Sequence, residues 1–183
     1  MDREDWIRNI IIVSGGFDPV HKGHIRMFRE AANLGAQVIA GLNSDEWLSR
    51  KKGKPFMKWE ERAEILESCK WINQVLPMDD SDDTACDIIK QVSDKYEGYN
   101  IYFANGGDRG KGNVPEVGIC KELDVTMLWG VGGGKIQSSS WLINSFLNFN
   151  KNHGEIVLVS IPFKLADNNS SACVAVPSKI WSC

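Results

Sequence analysis

His21-Lys22-Gly23-His24 sets two imidazoles three residues apart, shortly after an apolar run and a Gly-Gly pair. A helix starting there would hold both rings at its N-terminus, beside unpaired backbone N–H groups and the positive end of the helix dipole. That is a natural phosphate site. Two imidazole donors added to it would stabilise an anion whose charge grows during a reaction. Gly23 leaves room for a phosphate, or for the helix to approach a sheet. A His pair on one helical turn can also ligate zinc if a third ligand is near, and Asp18, Asp45 and Asp108 could serve. Two rival phosphate motifs fail. Ahead of Gly134-Lys135, Trp129 stands where a Walker motif needs glycine, and Ile136 follows where it needs Ser or Thr. No G-x-G-x-x-G follows the first apolar run, which argues against a dinucleotide-binding oxidoreductase.

The elements that would position these residues alternate. Ile10-Ile11-Ile12-Val13 reads as a buried strand that stops at Ser14-Gly15-Gly16. Residues 22–34 read as a helix with Ile25, Phe28 and Ala32 on one face and Gly35 as its stop. Residues 37–42 form a second strand, and Asn43-Ser44-Asp45-Glu46 resembles a capped helix start. Helices are predicted over 59–70, 84–96, 114–123 and 138–147, and strands over 73–76, 101–104 and 125–129. In the helix over 84–96, Ala85, Ile88, Ile89, Val92 and Tyr96 fall on one side. This pattern predicts a doubly wound α/β domain, a parallel sheet with helices on both faces. Ligands of such sheets sit beyond the carboxyl ends of the strands. There the sequence puts Gly15-Gly16-Phe17-Asp18, Asn43-Ser44-Asp45, Asn105-Gly106-Gly107-Asp108 and a glycine-rich loop at 130–134.

The chain of 183 residues is 43% hydrophobic and 25% charged, with a net charge of -3. This is the composition of one globular domain with a short appendage, able to bury a core. It excludes a polybasic nucleic-acid or membrane binder. No apolar run approaches the ~18 residues that span a bilayer. The opening Met1-Asp2-Arg3-Glu4-Asp5 is too acidic for a secretory signal. The 5 cysteines contain no C-x-x-C and read as reduced thiols, so a cytoplasmic protein is expected. The run Arg50-Lys51-Lys52-Gly53-Lys54 reads on its own as a solvated loop, and Asp79-Asp80-Ser81-Asp82-Asp83 as a solvated loop leading into a helix.

Gly15-Gly16-Phe17-Asp18-Pro19-Val20-His21-Lys22-Gly23-His24 resembles the signature of the cytidylyltransferase-like nucleotidyltransferase superfamily. The resemblance covers residues 9–147. It is closest to the small single-domain branch, which includes glycerol-3-phosphate cytidylyltransferase and the adenylyltransferase domain acting on heptose phosphate. It implies a Rossmann-like five-stranded parallel sheet of order 3-2-1-4-5. It also implies transfer of a nucleoside monophosphate from CTP or ATP to a phosphorylated small molecule, with release of pyrophosphate. Mg²⁺ would arrive on the triphosphate, with no metal held by the protein alone, and a homodimer is the family default.

The same resemblance assigns roles. His21, His24 and Lys51 become catalytic, with Lys54 as a helper. Gly16, Phe17, Gly107, Asp108, Lys135, Ser138, Ser139 and Ser140 join the two histidines around the nucleotide. Asp18, Asp45 and Arg62 become substrate-binding residues. The family's arginine shortly before the Ser/Thr run is missing, and Lys135 is the cation nearest that place. Residues 1–150 are expected to form the nucleotidyltransferase domain and 151–183 an appendage. Within the appendage, 156–163 is too apolar to stand in water and is expected to pack on the domain or on a partner subunit. Two other readings compete: a nucleotide-binding or regulatory protein of the same fold without catalysis, and a metal-dependent hydrolase using the histidine pair.

Overall fold

A computed structural model describes residues 8–106 and 114–152. In chain order the elements are β1 (Asn9–Gly15), α1 (Lys22–Asn33), β2 (Gln37–Leu42), α2 (Asp45–Lys52), α3 (Trp59–Glu67), β3 (Gln74–Pro77), α4 (Cys86–Lys95), β4 (Asn100–Gly106), α5 (Glu116–Glu122), β5 (Thr126–Val131) and α6 (Ser139–Asn152). The strands form one sheet in the order β3-β2-β1-β4-β5, and every pairing is parallel. The expected topology is the observed one.

Strand alternation divides the core in two. Ile11 and Val13 of β1 point to the face covered by α1 and α3, where Phe28, Ala31, Ala63 and Leu66 are buried. Ile10 and Ile12 point to the opposite face, against Ile88, Ile89 and Val92 of α4 and Cys120 of α5. A strand covered on both faces reads as a continuous apolar run, which is why β1 was so plain in the sequence. On α1 the buried stripe is Met27, Phe28 and Ala31, with Ile25 and Ala32 partly buried at its flanks. On α4 it is Ile88, Ile89 and Val92, and Tyr96 is only partly buried.

Three expectations need correction. The basic run at 50–52 is not a loop, because α2 extends through it. Ser44 caps this helix by accepting from the Trp47 backbone N–H, with acids in its first turn and Arg50, Lys51 and Lys52 in its last, as the helix dipole favours. Asp80 is not solvated. It is 3% exposed and accepts from the Asn43 side-chain amide and from both the backbone N–H and the hydroxyl of Ser44, tying the start of α2 to the end of β3. Finally, α6 runs as far as Asn152, beyond the helix end expected at 147. Gly107, Asp108 and the apolar stretch 156–163 lie outside the described residues.

Candidate active site

β1 is hydrogen-bonded to both β2 and β4, so the strand order reverses at its carboxyl end. A cavity of about 440 Å³ opens there, within the size range of small-molecule sites. Its centre is the end of β1 and the first turns of α1. One wall comes from Trp47, Leu48 and Lys52 of α2, the other from the loop after β5 and the start of α6. Gly16 makes the first wall possible, since a Cβ there would lie 2.8 Å from a Leu48 methyl.

The two histidines cap their own helix. His21 is the N-cap of α1, and its Nδ1 accepts from the Gly23 backbone N–H at 3.1 Å. His24 returns the bond, its Nδ1 accepting from the His21 backbone N–H at 3.3 Å. This is a capping box built from imidazoles. The rings stack with centroids 3.7 Å apart, and Phe17 packs edge-on to His24 from below. With both Nδ1 atoms accepting, each neutral ring carries its proton on Nε2, so each offers the cavity an N–H donor.

Burial holds both rings neutral. It pushes His24 down to about 3, aided by the nearby charges of His21 and Lys52. It lowers His21 as well, against the raising effect of its own backbone hydrogen bond. The sign of the linkage follows. The unfolded chain takes up the His24 proton near the ordinary histidine value and the folded chain far lower. Stability from the neutral ring is therefore complete above about pH 6.5 and falls as the pH drops toward 3. Relative to His24→Gln, the wild type is expected to lose roughly 2 kcal/mol between pH 7 and pH 4.5. Urea denaturation at the two pH values measures this, and parallel losses in both proteins would show that His24 is not the titrating group.

Lys52, not Lys51, reaches the cavity. Its Nζ donates to the Asp18 carbonyl at 2.9 Å, and burial lowers its pKa. Lys51 is exposed and its ammonium lies 5.6 Å from the centre of the Trp47 ring. Leu48 is fully buried, and Lys52 follows it by four residues on the same face, whereas Lys51 follows Trp47.

Asp18, Asp45 and Arg62 are brought together, but with one another and the backbone. None of them lines the cavity. Arg62 is 0% exposed. It donates from Nε to the Met57 carbonyl, from Nη1 to the carbonyls of Gly16 and Asn43, and from Nη2 to Asp45 Oδ1 at 2.7 Å. The other oxygen of Asp45 faces Lys58. The buried Asp18 carboxylate accepts from the backbone N–H groups of Phe56 and Met57. These three residues clamp the segment between α2 and α3 to the ends of β1 and β2.

The serines divide similarly. Ser138 Oγ accepts from the Trp141 backbone N–H, and Ser139 Oγ donates to the Pro19 carbonyl across the cavity mouth. Ser140 and Lys135 line the cavity, with the Lys135 ammonium 5.5 Å from the centre of the Trp141 ring. Glu30 of α1 accepts from the Gly132 backbone N–H at 2.7 Å and holds the glycine-rich loop against α1.

Residues 12–122 match the family model described as Cytidylyltransferase-like. The chain belongs to this family. This cytidylyltransferase-like chain is 33% identical over 114 residues to the probable ethanolamine-phosphate cytidylyltransferase of Encephalitozoon cuniculi, covering 61% of this chain and 35% of that one. It is 35% identical over 86 residues to the glycerol-3-phosphate cytidylyltransferase of Bacillus spizizenii, covering 47% of this chain and 67% of that one. It is 34% identical over 118 residues to the bifunctional protein HldE of Syntrophotalea carbinolica, covering 63% of this chain and 22% of that one. The chain thus spans about a third of the Encephalitozoon relative's length. Among the described residues of this cytidylyltransferase-like chain, no helix is long and apolar enough to cross a membrane.

The sequence reading passed over Lys52, which lines the cavity, and gave Asn105 only as part of the strand end Asn105-Gly106-Gly107-Asp108. The i, i+4 spacing from Leu48 was a signal for the first. For Asn105 no local pattern distinguishes a turn residue from a buried amide.

Proposed function

We propose that this chain transfers a nucleotidyl group from a nucleoside triphosphate, CTP or ATP, to the phosphate of a small phosphorylated acceptor. The observation that carries the reading is the pair of fixed imidazole N–H donors at the N-terminus of α1, facing the same cavity as Lys52. An oxygen of the acceptor phosphate attacks the α-phosphorus in line. The bond from that phosphorus to the α–β bridging oxygen breaks, and pyrophosphate leaves with the electron pair. His21 and His24 donate to the phosphate oxygens where charge builds, and Lys52 supplies a positive charge from the α2 wall. Ser140, on the wall formed by the start of α6, completes the phosphate cradle. No covalent enzyme intermediate is needed, so catalysis is positioning and electrostatics.

No carboxylate lines the cavity among the described residues, and no described group of His, Cys, Asp and Glu could hold a metal ion. Mg²⁺ would arrive on the phosphate oxygens of the triphosphate, in keeping with its preference for oxygen ligands and retained water. The similarity to two cytidylyltransferases supports CTP, and the similarity to HldE keeps ATP in the comparison.

The test is pyrophosphate release from CTP and ATP with glycerol 3-phosphate, phosphoethanolamine and a sugar 1-phosphate as acceptors. Release that depends on an acceptor is expected, and His24→Ala should lower kcat by about 10²-fold. Triphosphate binding without release for every acceptor would favour a non-catalytic nucleotide-binding protein. Near-normal turnover in His24→Ala would remove the histidine pair from the chemistry.

A further inference from the structure

The segment after β5 brings Lys135 and Ser140 to the cavity, and α1 is the surface on which it lies. Gly132 sits directly on the helix backbone, since a Cβ there would fall 3.0 Å from the Met27 Cα. Its φ of +88° is in the left-handed region that glycine adopts without steric cost. A Cβ on Gly133 would lie 3.8 Å from the Arg26 guanidinium, and one on Gly23 3.9 Å from the Gln137 carbonyl oxygen. The segment therefore runs back along α1, from Glu30 toward the histidines.

Two hydrogen bonds hold its ends. At the start Glu30 Oε2 accepts from the Gly132 backbone N–H at 2.7 Å, and at the finish Ser139 Oγ donates to the Pro19 carbonyl at 2.9 Å. Between them Gly134, Lys135 and Ile136 are exposed. An exposed segment with few contacts opens readily, so its anchors decide where it sits. The Glu30 anchor is the charge-assisted one, and such bonds are about twice as strong as neutral ones. The other carboxylate oxygen faces Arg26 Nε at 3.8 Å. Glu30 itself does not line the cavity. Its charge, one helix face away from a phosphate site, opposes the binding of an anion. The hydrogen bond to the loop gives the carboxylate a use that its charge does not.

We infer that Glu30 is a positioning residue, latching the glycine-rich loop to α1 so that Lys135 and Ser140 stand in place for the triphosphate. The inference rests on the nucleotidyl-transfer reading for its ligand and deepens it. Two variants separate the latch from the charge. Glu30→Ala removes both, whereas Glu30→Gln removes the charge and keeps an oxygen that can accept from Gly132. Acting only as a charge, Glu30 would hold the anion off, and both variants would bind it more tightly than wild type. Acting as the latch, it makes alanine bind more weakly and lets glutamine stand in. The side chain is 44% exposed, so neither change opens a cavity in the core.

The experiment is calorimetric binding of CTP, ATP and inorganic tripolyphosphate to the full chain as wild type, Glu30→Ala and Glu30→Gln, with hydrogen exchange at the Gly132 amide of each. Alanine is expected to weaken binding of tripolyphosphate and of the preferred nucleotide by about tenfold and to speed exchange at Gly132 by a similar factor, with glutamine within about threefold of wild type. Equal or tighter binding by the alanine variant would overturn the proposal, as would equal losses in the two variants. Binding decides it without turnover. If wild type binds triphosphate but releases no pyrophosphate with any acceptor, the transfer reading fails and the role of Glu30 stands. If turnover is intact and alanine binds like wild type, the role of Glu30 fails alone. A wild type that binds none of the three ligands would overturn both.

Discussion

Lys52→Ala is expected to lower kcat by about 10²- to 10³-fold, while Lys51→Ala stays within about threefold of wild type. The two residues are chemically identical neighbours, so composition and local charge are held constant between the variants. What differs is place. The Lys52 ammonium is tethered to the Asp18 carbonyl and set in the cavity wall with the histidines. A charge tethered in place needs little rearrangement when the phosphates gain charge, which makes it effective in the transition state. The Lys51 ammonium rests over Trp47 in solvent. Steady-state pyrophosphate release under saturating substrates checks the pair. Equal losses would mean that α2 supplies only a general positive field, and a greater loss at Lys51 would reverse the assignment.

The second large effect is on folding. Arg62→Ala should destabilise the protein by about 3–5 kcal/mol, the usual cost of removing one partner of a buried ion pair. The loss would leave the carbonyls of Gly16, Asn43 and Met57 without this donor and Asp45 without its guanidinium. Arg62→Lys should rescue little, because one ammonium cannot reach acceptors arranged around a planar fork. This outcome separates the clamp from a substrate-binding arginine. An arginine that met the acceptor phosphate would, as lysine, leave the urea midpoint unchanged and raise the acceptor KM. Here the midpoint should fall in both variants.

The sheet was legible because its evidence is repeated. Each of Ile10, Ile11, Ile12 and Val13 is buried on one face or the other, and the turn residues fall at every strand end. The histidine pair was legible because its spacing and its place after the first strand agree. The rest of the site depends on which way a side chain turns, and single positions carry no period. Lys51 and Lys52 differ by 100° around α2, but with Leu48 as the buried residue of that helix the apolar signal was too thin to show a helix through the basic run. Asp18, Asp45 and Arg62 have the residue types of a phosphate site, and the same types build a buried clamp. Only the distribution of their hydrogen bonds, directed to Gly16, Asn43, Phe56 and Met57, tells the two apart.

The reciprocal cap at the start of α1 gives each imidazole two jobs on opposite sides of one ring. A serine or aspartate would serve the chain and present nothing to a phosphate. A lysine would serve the phosphate and leave the chain end open. Imidazole couples a lone pair on one edge to an N–H on the other, so one residue serves both ends. The nearest substitute is an amide. Asparagine at 21 could accept from the backbone through its oxygen and turn its NH₂ outward, imitating both jobs at shorter reach. The group that closes the helix and the group proposed to meet the substrate are thus one and the same, so a change at either ring alters the helix start and the cavity together.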